Sequence, residues 1–223
     1  MPPSGCILDG ATRDAQTCRS QRLGIEWRSF AGTKRPLMSR RQERLPILLP
    51  CRAIQQRIHE MGAEISRDFR GQPVHFVAVL KSAVVFFADL LRCVQVKASV
   101  DFVCASSYGK GTQSAGPVNL LMDLHGSVEQ RNVILVEDIL DTGRTTNFLL
   151  GLLRQRHPKV LRVAALLDKP AGRIEPVRAD YLGFSIPNRF VVGYGLDCAE
   201  RYRNLPDIRF LPGGEGIPCT PRR

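Results

Sequence analysis

The stretch Val133-Ile134-Leu135-Val136-Glu137-Asp138-Ile139-Leu140-Asp141-Thr142-Gly143-Arg144-Thr145-Thr146 constrains the fold more than any other part of this chain. Val133 to Val136 are aliphatic and mostly β-branched, which predicts a strand buried on both faces, and the acidic pair stands where that strand is expected to emerge. A hydroxyl-rich turn follows. Phe148, Leu149, Leu152 and Leu153 then recur at helical spacing, so Asp141 to Thr146 should form the N-terminal edge of a helix entered directly from a parallel strand. Such a junction suits an anion. First-turn N–H groups and the positive dipole end face it, Gly143 allows close backbone approach, and the Thr hydroxyls add donors.

The acids narrow the choice of ligand. A nucleoside triphosphate loop would read GxxxxGK[ST], with a lysine supplying positive charge, whereas Glu137, Asp138 and Asp141 surround this turn. Carboxylates repel phosphate but hold ribose hydroxyls and magnesium. A ligand with a 5′-phosphate, a sugar diol and a magnesium-bound pyrophosphate satisfies both halves of the motif.

The chain is long enough for one enzyme-sized domain: 223 residues, 43% of them hydrophobic. Its formal charge of +11 is uneven, since residues 1–45 carry nine Lys and Arg against four Asp and Glu, a net +5. The remainder is modestly basic, as expected for a protein that gathers phosphates, and nucleic acid is not an expected partner. Seven cysteines show no CxxC or Cys/His cluster and read as reduced thiols. No apolar run approaches a membrane span and no secretory leader pattern follows Met1, so a cytoplasmic location is expected, with no membrane partner.

Residues 1–37 lack periodicity and read as a disordered extension, and the globular part is expected to begin near Leu45. The predicted organisation is an extension over 1–44, one domain over 45–212 and a flexible tail over 213–223. Within the domain, Ile54, Ile58, Met61, Ile65 and Phe69 mark one helix face. Val74 to Leu80 is a buried strand ending in a polar turn, Val84 to Val94 a helix, and Ser99 to Cys104 a strand. Ser106 to Gly116 is a Gly/Ser-rich loop of functional length. Further strands are predicted at Val118–Leu124, Val160–Leu167, Tyr181–Ile186 and Phe190–Gly193. Strands alternating with helices give an α/β fold, a parallel central sheet flanked by helices, with ligands at the carboxyl ends of the strands.

An aliphatic run, two acids and D-T-G-x-T resemble the 5-phosphoribosyl-1-diphosphate (PRPP) loop of type I phosphoribosyltransferases. Four more segments resemble the 6-oxopurine (hypoxanthine–guanine) branch of that family: Leu80-Lys81-Ser82-Ala83, Ser107-Tyr108, Leu167-Asp168-Lys169-Pro170 and Ile186 to Arg203. The likeness implies the family's fold, including a small hood built from chain ends. It implies that Glu137, Asp138, Asp141, Thr142, Gly143, Arg144 and Thr145 bind PRPP, and that Lys81, Ser82 and Arg203 bind pyrophosphate. Lys169, Phe190, Val191 and Asp197 would bind the purine side, Ser107 and Tyr108 would close a mobile loop, and Asp141 would accept the purine proton. Glu137, Asp138 and Asp197 would organise Mg2+. Ser82 departs from the family's usual glycine, which puts the opening of that turn in question.

The implied reaction transfers the 5-phosphoribosyl group of PRPP to N9 of hypoxanthine or guanine, giving IMP or GMP and pyrophosphate in a homodimer or homotetramer. Two other readings stand beside it: a phosphoribosyltransferase for another base such as xanthine, and a non-catalytic PRPP-sensing regulator on the same fold. Intact Asp141 and Lys169 argue against the regulator.

Overall fold

A computed structural model describes residues 45–107 and 118–212. The main sheet has six strands in the order β4-β3-β2-β5-β6-β7: β2 (Val74–Leu80), β3 (Ala98–Ser107), β4 (Val118–Met122), β5 (Asn132–Leu140), β6 (Val160–Asp168) and β7 (Tyr181–Ser185). All neighbours run parallel except β4, which returns antiparallel along β3. The chain leaves β2 towards β3 on one side and later enters β5 on the other, so the strand order reverses between β2 and β5. A reversal opens a crevice beyond the strand ends.

Side-chain alternation on β2 divides the core. Phe76 and Ala78 join Ile54, Ile58, Met61 and Ile65 of α1 (Cys51–Asp68) and Phe86, Phe87 and Leu90 of α2 (Ala83–Cys93). Val77 and Val79 face the opposite side, where Leu149, Leu150 and Leu153 of α3 (Arg144–Arg154) cover them. Both faces of the central strands are therefore sealed, as parallel strands require. The face predicted for α1 is buried along its whole length, including Phe69 just past its end. Phe148 of α3 is the exception among predicted core positions, being exposed while Thr146 and Leu150 face inward.

The element boundaries shift where side chains and pairing disagree. The strand carrying the acids runs on to Leu140, because Ile139 and Leu140 still pair with Leu167 and Asp168 of β6. Glu137 and Asp138 thus lie inside β5 and are buried, rather than emerging from it. Likewise β3 extends through Ser107, since its last residues pair with β4, and Ser106 and Ser107 belong to a strand instead of a loop.

Three short strands, β1 (Ile47–Leu49), β8 (Val191–Val192) and β9 (Ile208–Phe210), form a second antiparallel sheet in the order β1-β9-β8. This is the small hood expected from the chain ends. β1 and β9 are too short to carry a readable period, and their pairing spans more than 150 residues of sequence.

Candidate active site

Three adjacent strands deliver the charged groups. Lys81 follows β2, Asp141 follows β5 and Lys169 follows β6, all at carboxyl ends beside the β2/β5 reversal. The Leu80–Lys81 peptide is cis. Ser82 sits in ordinary right-handed backbone at the head of α2, a conformation open to any residue, so the turn does not require the glycine that Ser82 replaces.

The turn after β5 is fixed from outside as well as by its own sequence. Gly143 adopts φ +87, and a Cβ there would lie 2.3 Å from the Glu175 carbonyl oxygen. Both facts demand glycine. The Thr142 carbonyl accepts the Ile174 and Glu175 N–H groups at 3.0 and 2.9 Å, binding the turn to the strap after β6. Thr142, Arg144 and Thr145 stay half-buried at the mouth of the turn, with the first-turn N–H groups of α3 directed along the helix axis towards the crevice.

The acidic pair splits across the sheet. Glu137 points under α3 and accepts the Thr146 hydroxyl at 3.3 Å. Asp138, its neighbour, points to the opposite face, where the Ser82 hydroxyl and the Arg203 guanidinium favour its ionised form. Burial dominates both: it raises Glu137 well above the usual carboxylate range, with the Asp138 charge adding to the rise. Asp138 is raised as well, by burial. A ribose diol, which donates two hydroxyl protons, would supply what these carboxylates lack.

Lys169 is buried, and its ammonium donates to the Asp141 carboxylate at 3.1 Å. Its own N–H donates to the Leu140 carbonyl, which ties the Lys169 backbone to the end of β5. Beside the pair lies Gly172, where a Cβ would come 2.6 Å from Asp141 Oδ1 and 3.3 Å from Asn188 Oδ1. A cation and a carboxylate therefore stand side by side, one a pure donor and the other a pure acceptor.

Val191 is buried in β8, with Phe190 half-buried before it. Beyond β8, Arg203 pairs with Asp197 at 2.9 Å and with Glu200 at 3.1 Å, and Lys81 reaches the same Glu200 at 3.0 Å. Basic groups from the first and last parts of the domain thus converge on one acidic segment. Arg203 also donates to the Gly195 carbonyl at 2.9 Å.

The chain is similar to curated and solved proteins over this same region. A family model described as the phosphoribosyl transferase domain matches residues 47–199. The chain belongs to the phosphoribosyl transferase domain family. It is 44% identical over 165 residues to a hypoxanthine-guanine phosphoribosyltransferase of Bacillus subtilis, covering 74% of this chain and 92% of that protein. It is 49% identical over 158 residues to the bifunctional protein TilS/HprT of Listeria monocytogenes, which covers 71% of this chain but only 24% of that longer protein. Among solved structures, a hypoxanthine phosphoribosyltransferase of Staphylococcus aureus superposes with a TM-score of 0.75 at 41% identity, covering 79% of this chain and 96% of that one.

Within this phosphoribosyltransferase fold the sequence-derived residues fall into two groups that the structure brings together: Asp141 with Lys169, and Lys81 with Asp197 and Arg203. Tyr108 lies outside the described residues, and Ser107 ends β3 beside it. The expected metal residues do not form one cage, and no cluster of three metal-ligating side chains occurs among the described residues. Glu137 is committed to the α3 face and Asp197 to Arg203. This donor set still fits magnesium, which keeps several waters and binds through one or two carboxylates plus substrate phosphates. The expectation of reduced thiols holds for Cys51, Cys93 and Cys104 but not for Cys198, which is disulfide-bonded.

Sequence reasoning passed over Arg173. Its guanidinium donates to the Leu140 carbonyl and pairs with Asp168, bracing the ends of β5 and β6 where Asp141 and Lys169 emerge. Its position four residues past Lys169 was the available signal, but a lone Arg in a loop has many uses.

Proposed function

We propose that this protein transfers the 5-phosphoribosyl group of PRPP to N9 of hypoxanthine or guanine, releasing pyrophosphate and yielding IMP or GMP in purine salvage. The observation that carries this reading is the Lys169–Asp141 pair at 3.1 Å, set immediately before the phosphate turn. A 6-oxopurine protonated on N7 offers an acceptor, O6, next to a donor, N7–H. The pair presents the matching donor and acceptor. An adenine amino group would instead face the Lys169 ammonium, donor against donor.

In the reaction, the N9 lone pair forms a bond to C1′ while the bond from C1′ to the pyrophosphate oxygen breaks. Asp141 takes the N7 proton, which keeps the attacking base electron-rich. Lys169 holds O6, and Phe190 with the backbone of Val191 borders the base. Glu137 and Asp138 hold the ribose hydroxyls, and the turn Thr142 to Thr145 holds the 5′-phosphate. Lys81, the Ser82 backbone and Arg203 receive pyrophosphate, for which they exchange the Glu200 and Asp197 carboxylates. Asp197 and substrate oxygens would hold Mg2+, which when bound neutralises charge on the leaving group. Ser107 and Tyr108 would cover the reacting centre and exclude water.

The protein acts on small molecules in the cytoplasm, as a homodimer or homotetramer. None of the described helices is long and apolar enough to cross a membrane. Purified full-length protein incubated with magnesium, PRPP and radiolabelled hypoxanthine, guanine, xanthine or adenine tests the reading directly. Label appearing in IMP and GMP supports it; turnover of xanthine alone, or of no base, overturns it.

A further inference from the structure

The segment from Gly193 to Tyr202 is held in backbone that side chains avoid. Gly193, Tyr194, Gly195, Ala199, Glu200 and Tyr202 all have positive φ, between 52 and 102. Such conformations persist only where the surroundings over-determine them. Of the four that carry a Cβ, Tyr194 is the buried one, and its side chain leads away from the crevice into a closed polar network. The Tyr194 hydroxyl donates to Asp89 on α2. Gln55 on α1 donates to the same Asp89 oxygen at 2.8 Å and to the Tyr194 hydroxyl at 3.1 Å. The Arg92 guanidinium engages the other Asp89 oxygen. Burial and the Asp89 carboxylate keep the Tyr194 phenol protonated, and so a donor.

The network meets the site through one residue. A Cβ on Gly195 would lie 2.3 Å from the Ser82 carbonyl oxygen, so the backbone after Tyr194 rests directly on the turn that carries Lys81. The Tyr194 and Gly195 N–H groups bond to the Leu205 and Arg203 carbonyls at 2.8 and 3.0 Å, so moving Tyr194 moves the Arg203 backbone with it. Asp89 itself is two helical turns from Ser82, roughly 10 Å along α2, and is remote from the substrate groups.

We infer that Asp89 and Gln55 are positioning residues for the pyrophosphate end of the site: by anchoring the Tyr194 hydroxyl they set the spacing between Asp197 and Arg203 on one side and the Lys81–Ser82 turn on the other. The inference rests on the assignment of Lys81, Ser82 and Arg203 to pyrophosphate and of Asp197 to the magnesium that accompanies it. The purine wall should be indifferent to it, because Val191 and Val192 are pinned separately by pairing with Phe210 and Arg209. Removing the anchor should therefore weaken PRPP binding and spare the base.

The test compares full-length wild type with Tyr194→Phe, Asp89→Ala, Asp89→Asn and Arg203→Ala, measuring kcat, KM for each substrate and Tm. Tyr194→Phe and Asp89→Ala are expected to raise KM for PRPP roughly tenfold while KM for hypoxanthine changes less than about twofold. Asp89→Asn, whose amide oxygen still accepts the phenol, should recover most of the loss. A lower Tm in Tyr194→Phe with both KM values unchanged, or an equal rise in both, overturns the inference. Should Asp89→Ala fail to fold, Tyr194→Phe, which deletes a single oxygen, decides. Arg203→Ala separates the two levels. If it raises KM for PRPP and Tyr194→Phe does not, the anchoring role alone is wrong, whereas no change in Arg203→Ala removes the pyrophosphate assignment itself.

Discussion

The two halves of the crevice are built by different means. In the strand-turn half, Asp141, Gly143 and Lys169 sit at the ends of β5 and β6, and register between those strands places Lys169 beside Asp141 as soon as the sheet forms. In the hood half, Gly193 to Arg203 has neither helix nor long strand to shape it, and its left-handed backbone depends on contacts from outside the segment: Gln55 of α1 and Asp89 of α2 hold its Tyr194, and the Ser82 turn backs its Gly195. Chemistry on the first half thus depends on strand register and on the strap Arg173 to Glu175 just after β6. Geometry on the second is exposed to distant substitutions, because a loop in unfavourable backbone keeps its shape only while its tethers hold.

The largest effect is expected in base selectivity, through the Lys169–Asp141 pair of the strand-turn half. Adenine should be rejected by about 10⁴ relative to hypoxanthine, since it leaves the buried Lys169 charge facing a donor. Lys169→Met should damage hypoxanthine and guanine use together and narrow the gap to adenine. Comparable kcat/KM for adenine and hypoxanthine in the wild type would break the assignment. Next in size is the proton step. Asp141→Asn is expected to lower kcat about 10²-fold or more with the fold intact, and unchanged turnover would take the catalytic role from Asp141.

The pH dependence of stability sharpens the picture of β5. Glu137 holds its proton more tightly in the folded protein than in the unfolded chain, where a glutamate titrates near 4.5, because burial and Asp138 disfavour its charge. The folded state therefore binds more protons over the interval from that value up to the raised native one, and stability falls as pH rises through it. Glu137→Gln keeps an acceptor for the Thr146 hydroxyl and removes the titration. Its Tm should exceed that of wild type by roughly 2–4 °C at about pH 8, and the advantage should vanish near pH 4. Equal Tm curves across that range would show that Glu137 is not strained by its burial. The smallest effect is expected at the N-terminus. Both halves of the crevice are assembled from residues 45–212, so deleting residues 1–37 should move Tm by less than about 2 °C and leave KM for both substrates unchanged.

What the sequence settled by itself was the part whose chemistry and geometry are neighbours in the chain. Four aliphatic residues, an acidic pair and Thr-Gly-x-Thr specify a buried strand, a tight turn and a helix, each within a few positions of where it is written. The periodicity of Ile54 to Phe69 and the run Val74 to Leu80 were equally legible, since apolar spacing reports burial directly. Where the strand ended was less so. Glu137 and Asp138 read as emerging from β5 because charge signals exposure, yet pairing with β6 carries them inside. Their opposite facing follows from strand alternation once both lie inside β5; only the tertiary structure decided that they do, and that Glu137 meets Thr146 while Asp138 meets Ser82 and Arg203. It alone paired Ile47 to Leu49 with Ile208 to Phe210, joined Lys81 to Glu200 across 119 residues, and fastened Tyr194 to Asp89 across 105. Local pattern encodes which face of an element is buried; it carries no record of which distant side chain meets it there, because that meeting is fixed by the packing of the whole chain.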